Sequence, residues 1–253
     1  PRYCFEGDNF SLWSYIDIHG NWTSPWIRST AGLTDVAHKN GVSVGCVMSI
    51  PYGNTVYPSR WSYDNYGRIL YQLTQKKNGK FVYAEPLVRM MKFYGINGIG
   101  FNSEFHTSAS SMTLLSDFFV ACHKEAEKIN WKFEVHWYDG TGDDGHIHFD
   151  GGLGYHNQKI FGDKDNIATD MLFANYNWGP SHLSGSVATA KRLGRSSFDY
   201  YAGFDIQGRG LRQASWSALL DNDISIGFWG AHKQSLIHQS ATDNGTSDIA
   251  IQK

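Results

Sequence analysis

Tyr94-Gly95-Ile96-Asn97-Gly98-Ile99-Gly100-Phe101-Asn102-Ser103-Glu104 is the stretch on which the fold turns. Its short apolar run at Gly98–Ser103, bounded by turn residues, predicts a buried strand. Ahead of it, Pro86 suits the first turn of a helix running to Tyr94, because a first-turn proline gives up no intrahelical bond. Behind it, Thr113–Ile129 carries Leu114, Leu115, Phe118, Phe119, Cys122, Ala126 and Ile129 at three- and four-residue spacing, with Lys124, Glu125 and Lys128 off that stripe. That pattern predicts an amphipathic helix with one face on a sheet. Helix, buried strand, helix is the unit from which parallel sheets are wound.

The same alternation runs through the chain. Further strands are predicted at Tyr15–Trp22, Val42–Ser49, Phe133–Tyr138, Met171–Tyr176, Tyr200–Ile206 and Ser225–Trp229, and a helix at Leu33–Lys39 that stops at Asn40-Gly41. At 253 residues the chain is close to the roughly 250 of a (β/α)8 barrel, so the expected α/β fold is one TIM-barrel domain over residues 1–253. Seven strands leave that barrel one short. The first strand is expected upstream of Pro1 or at Arg2–Phe5, which makes an N-terminal truncation the working expectation. No fixed-period repeat appears, and the Ser/Gly/Asn-rich stretches Gly140–Gly154 and Thr242–Ser247 are short enough to be loops. Cys4, Cys46 and Cys122 lack metal-ligand spacing, and the last two sit in apolar segments, as buried free thiols do.

Composition narrows function. Lys+Arg (22) nearly balances Asp+Glu (24), so no basic field exists to attract nucleic acid or an anionic membrane. No apolar run approaches a membrane span. Aromatics reach 15%, more than a core demands, and fit a site that stacks on sugar rings. If Gly98–Ser103 is a strand, Asn102 and Glu104 share a face at its C-terminal end, where barrel enzymes place their chemistry. A capping glutamate beside a solvated loop asparagine is the plain alternative.

The stretch resembles the hallmark of glycoside hydrolase family 85, the endo-β-N-acetylglucosaminidases, which reads approximately Y-G-F-D-G-W-L-I-N-I-E. The likeness continues in Ala37-His38-Lys39-Asn40-Gly41-Val42, Trp137-Tyr138-Asp139, Asn175-Tyr176 with Trp178, and Gly203-Phe204-Asp205-Ile206-Gln207-Gly208-Arg209-Gly210, in the family's order. Two loops depart from it: Phe149-Asp150-Gly151 stands where W-Q-N is common, and Ser49-Ile50-Pro51 where an acidic residue often follows the strand. Both would reshape the substrate pocket.

The resemblance implies a substrate-assisted reaction. Most retaining glycosidases use two carboxyl groups, but an N-acetylglucosamine can attack its own anomeric carbon through the 2-acetamido carbonyl and form an oxazoline. On this reading Asn102 orients the acetamide, Glu104 is acid and then base, and Tyr138 assists. Trp22, Trp137, Phe149, Asn175, Trp178, Asp205 and Trp229 are the implied substrate-binding residues. For each ring alone core packing is the plainer reading, and Asp205 could equally be paired with Arg209. The implied partners are N-linked glycans of glycoproteins or free oligosaccharides, acted on by a monomer without cofactor. Low charge and abundant Ser, Gly and Asn favour a secreted, periplasmic or cell-surface bacterial protein, although eukaryotic members of the family are cytosolic.

The competing resemblance is to family 18 chitinases, whose D-G-x-D-x-D-x-E would put acids where this chain has Asn97, Gly100 and Asn102. That substituted pattern also suits a chitinase-like barrel that binds glycans without cleaving them. Other motifs fail on spacing. His146-x-His148 beside Asp143, Asp144 and Asp150 lies in a glycine-rich loop without the calcium-loop pattern, so no metal is expected. Gly208-Arg209-Gly210 lacks the third glycine of a dinucleotide fingerprint.

Overall fold

The computed structural model describes residues 12–23, 27–49, 70–209 and 215–230. Seven strands form one parallel sheet in simple sequential order: β1 (Ile18–Trp22), β2 (Ser43–Ser49), β3 (Gly98–Asn102), β4 (Glu134–Tyr138), β5 (Met171–Phe173), β6 (Tyr200–Asp205) and β7 (Ser225–Trp229). Helices cross between them: α1 (Ala31–Lys39), α2 (Ala84–Phe93), α3 (Ala109–Lys128), α4 (Pro180–Arg192) and α5 (Trp216–Leu220). The sheet curls until its two edge strands meet at their C-terminal ends, where the Trp22 and Trp229 rings pack edge to face with centroids 5.3 Å apart. Among the described residues this is a barrel wall of seven strands, one fewer than the full (β/α)8 count. The expected alternative for an eighth strand, Arg2–Phe5, lies outside the described residues.

Each anticipated strand forms; Ser225–Trp229 keeps both its ends and the other six are trimmed by one to three residues. Trp13–Tyr15 makes a 3-10 turn ahead of β1, and β5 stops at Phe173, three residues short of Tyr176. The helix anticipated from Thr113 begins four residues earlier because Ser108 caps it, its hydroxyl accepting the Ser111 N–H. Helix α4 starts at Pro180 with Gly179 as its N-cap, a start the periodicity alone does not reveal; His182 Nδ1 accepts the Gly179 N–H there.

Period-two alternation divides each strand between a barrel interior and an outer core. Outward on β3 and β4, Phe101 and Trp137 pair in register and pack with Phe119 of α3 at 5.3 to 6.3 Å between ring centroids. Inward, glycines make room for a few large side chains. A Cβ at Gly98 would fall 2.2 Å from the His136 ring, and one at Gly227 would fall 2.3 Å from the Phe173 ring. The glycine-rich strands therefore pack by letting His136 and Phe173 cross the interior over bare backbone.

At the N-terminal end of the wall, buried Asn97 pins three strands together. Its side-chain oxygen accepts from the Val44 N–H and meets His38 Nε2, and its amide donates to the Lys132 carbonyl. An asparagine can both donate and accept here; an aspartate could not. Close by, buried Glu134 pairs with Lys132 at 2.8 Å and His136 at 3.5 Å. Burial pushes its carboxyl up, but His136 and Lys132 together outweigh that and hold it at about 2. Cys46 and Cys122 are buried free thiols; Cys4 lies outside the described residues.

Candidate active site at the C-terminal mouth

Among the described residues, Asn102, Tyr138 and Asp205 close β3, β4 and β6 at the C-terminal end of the sheet. Asn102 closes β3 there, half-buried. Glu104 follows two residues later, after the chain has begun to turn: the Glu104 N–H donates to the Asn102 carbonyl at 2.9 Å. Among the described residues no hydrogen bond or ion pair engages the Glu104 carboxyl, which is half-buried. An acid at a strand end with no structural partner is available for chemistry.

Tyr138 ends β4 and its hydroxyl donates to Asn175 Oδ1 at 2.9 Å. Phe149, Phe173 and Tyr176 surround the phenol with ring centroids 6.0 to 6.3 Å away. Burial, then the neighbouring Tyr176, Glu104 and Asp139, push the Tyr138 phenol well above its ordinary value, with Arg209 pulling the other way. Tyr176 is pushed up by burial, Asp205 and Glu104. Both phenols thus stay protonated hydrogen-bond donors, and both feel the charge of Glu104. The Arg209 guanidinium lies over the Tyr176 ring at 5.5 Å and 3.9 Å from Asp205, whose other oxygen accepts the Gly208 N–H.

Asp139 fastens this wall from behind. Buried under the mouth, it accepts from the Gly151 N–H at 2.6 Å, Asn157 Nδ2 at 3.0 Å and the Asn175 N–H at 3.4 Å. It thereby ties the loop carrying Phe149 to the residue that receives the Tyr138 hydroxyl. Burial pushes the Asp139 carboxyl up to about 7 against the pull of those donors. Phe149 itself sits at φ +54, and Asn177 Nδ2 holds its carbonyl.

The structure thus gathers Asn102, Glu104, Tyr138, Phe149, Asn175 and Asp205 around one opening, with Trp22 and Trp229 meeting where the sheet edges close. Two of the anticipated residues are elsewhere. Trp137 is fully buried on the outer face of β4, its Nε1 donating to the Thr141 carbonyl at 3.1 Å. Adjacent residues on a strand point opposite ways, so Trp137 cannot join Tyr138 at the mouth. Trp178 packs edge to face on outward Phe204 and donates its Nε1 to the Gly203 carbonyl at 2.7 Å, a tie between loop and strand. Conversely, Tyr176 and Arg209 belong to the opening although only their motifs, not their roles, stand out in the sequence.

In the neighbouring loop, His148, Asp150 and His156 bring donor atoms within 4.8 Å of one another. The two imidazoles lie face to face at 3.8 Å and 3°, each held by its own aspartate, Asp144 or Asp150. Lone pairs of stacked rings run in parallel planes and do not converge on a shared ion.

The family model for glycosyl hydrolase family 85 matches residues 4–242. The chain belongs to glycosyl hydrolase family 85. Relatives of this family 85 chain include the cytosolic endo-beta-N-acetylglucosaminidases of Gallus gallus, 28% identical over 206 residues, and Homo sapiens, 26% identical over 207. Each alignment covers 79% of this chain, which spans only 25% of the relative's length. The glycoside hydrolase domain of Endo-D from Streptococcus pneumoniae R6 superposes with a TM-score of 0.73 at 25% identity, covering 87% of this chain and 34% of that one. The GH18 chitinase ChiB of Flavobacterium johnsoniae shares the fold at a TM-score of 0.52 and 11% identity, covering 93% of this chain and 89% of its own. Among the described residues of the family 85 chain, no helix is long and apolar enough to cross a membrane.

Proposed function

We propose that this family 85 chain is an endo-β-N-acetylglucosaminidase that, as a monomer, cleaves the β-1,4 bond between the two core N-acetylglucosamines of N-glycans. The observation that carries the reading is Glu104: a carboxyl at the mouth with no partner among the described residues, two residues from the Asn102 amide and acting on two protonated tyrosines. The names of the relatives supply the substrate class. Asp205 is engaged by the Gly208 N–H and by Arg209, which suits it to holding a sugar hydroxyl.

Among the described residues Glu104 is the carboxyl left free at the mouth, and on this reading the nucleophile comes from the substrate. The 2-acetamido carbonyl oxygen attacks the anomeric carbon while Glu104 gives its proton to the departing glycosidic oxygen. Asn102 accepts the acetamide N–H, which grows acidic as positive charge spreads over the forming ring. Tyr138, a donor held by Asn175, turns its hydroxyl toward the acetamide oxygen and fixes its direction. Glu104, now a carboxylate, takes a proton from water as that water opens the oxazoline. Phe149, Trp22 and Trp229 offer ring faces to the sugars.

The test is incubation with a panel of N-glycosylated peptides and measurement of product masses, for wild type and Glu104→Gln. Release of the glycan leaving a single N-acetylglucosamine on the peptide, lost in the variant, is the expected result. Retention of intact glycan on immobilised wild-type protein without cleavage would replace the enzyme with a binding protein.

A further inference from the structure

We infer that Thr141, which touches no part of the opening, is a positioning residue that sets where the Glu104 carboxyl stands relative to Tyr138. The inference rests on the reading of Glu104 as the acid/base and adds what holds it. Thr141 is buried, 1% exposed, and its hydroxyl lies 2.8 Å from the Ser103 carbonyl, 2.6 Å from the Phe105 carbonyl and 3.1 Å from the Phe105 nitrogen. Its own N–H donates to the Ser103 carbonyl at 2.6 Å. One side chain therefore grips the backbone on both sides of Glu104.

Hydrogen bookkeeping makes the grip specific. A hydroxyl has one proton and two lone pairs, so Thr141 accepts the Phe105 N–H and donates to one of the two carbonyls at a time. Neither group has access to solvent, since Ser103 and Phe105 are both fully buried. The clamp is itself anchored in the outer core, where fully buried Trp137 donates to the Thr141 carbonyl. It also reaches the second member of the site: the Ser103 hydroxyl donates to the Tyr138 carbonyl. Glu104 and Tyr138 leave different strands, yet their backbones are joined through Ser103 and Thr141 by direct hydrogen bonds. An acid must meet the leaving oxygen within a few tenths of an ångström, and such a frame supplies that constancy without contacting substrate.

The experiment compares wild type, Thr141→Val, Thr141→Ser, Ser103→Ala and Glu104→Gln on a chitobiose-core glycopeptide and on the 4-nitrophenyl glycoside of the same glycan. Valine keeps the branched shape and removes the hydroxyl. On the glycopeptide, Thr141→Val is expected to lower kcat on the order of 10²-fold with little change in KM, and Thr141→Ser to restore most of it. Nitrophenolate departs with little protonation, so the loss should shrink on the aryl glycoside, as it should for Glu104→Gln. A merely structural role would depress both substrates alike. If Thr141→Val does not fold, Ser103→Ala, which cuts only the Tyr138 link, is expected to show the same leaving-group dependence at smaller size. Wild-type kcat in a folded Thr141→Val, or equal losses on the two substrates, overturns the inference while leaving Glu104 in place. Full activity of Glu104→Gln on the glycopeptide would instead overturn the acid/base assignment beneath it.

Discussion

Gly140→Ala puts a single methyl group between the two loops that carry the proposed chemistry. Gly140 follows Tyr138 and Asp139 at the end of β4, and its N–H donates to the Tyr138 carbonyl. A Cβ there would lie 2.2 Å from the Ser103 carbonyl oxygen and 3.0 Å from its carbon, whereas ordinary contact begins at 3.4 Å, so the loops must part by about 1.2 Å. Both obstructing atoms are backbone, so no side chain can swing aside. The shift also stretches the Thr141 N–H bond to the same Ser103 carbonyl, now 2.6 Å. Overpacking of this kind costs about 1–3 kcal/mol of stability. A misplacement of about 1 Å at a reacting group costs on the order of 10²-fold in rate, about 2.7 kcal/mol of barrier. Steady-state kinetics on a glycopeptide, with urea unfolding in parallel, separates the two effects. The expected variant folds, binds with nearly unchanged KM and loses most of kcat. A folded alanine variant with wild-type kcat would refute the idea that this close approach sets the Glu104 position.

Two further perturbations probe the rest of the molecule. Glu134 has its carboxyl held at about 2, below its ordinary 4.5, so its contribution is present above pH 4.5 and is lost as pH falls through 2. Glu134→Gln should therefore cost up to about 3 kcal/mol by urea unfolding at pH 7, a gap that narrows toward pH 2; a gap independent of pH would show that His136 and Lys132 do not set it. Phe149→Ala removes the ring against Tyr138 while keeping a Cβ at the same left-handed φ. It should raise KM for the glycopeptide about tenfold with a smaller effect on kcat, the pattern of a lost stacking platform; an unchanged KM would remove Phe149 from the substrate site.

Much of this fold is legible before any coordinates, because a buried strand between amphipathic helices leaves its period in the sequence. The strand at Ser225–Trp229 has both its ends where alternation puts them. What the sequence conceals is long-range complementarity. Gly45, Gly98 and Gly227 read locally as weak strand formers, and the His136 and Phe173 rings crossing above them give these glycines a purpose, while Gly203 also makes room for the Ala174 carbonyl. The site shows the same division. Asn102, Glu104 and Tyr138 stand out by their motif and strand-end position, and Asp205 by its late motif. Trp137 is misplaced by treating a motif as a unit: alternation sends its indole into the outer core and Tyr138 to the mouth. Thr141 gives no local signal at all, since its hydroxyl meets Ser103 and Phe105 across more than thirty residues of intervening chain.

The stereochemistry of the first product tests the central claim most directly. Proton NMR of a chitobiose-core glycopeptide, followed from mixing, resolves the anomeric signal of the newly released reducing end before mutarotation. Attack by the substrate's own acetamide and then by water inverts the anomeric carbon twice, so the β anomer should appear first with wild type, and no release should occur with Glu104→Gln. Initial appearance of the α anomer would mean direct attack by water, and would contradict a site in which Glu104 works with a nucleophile that the substrate brings.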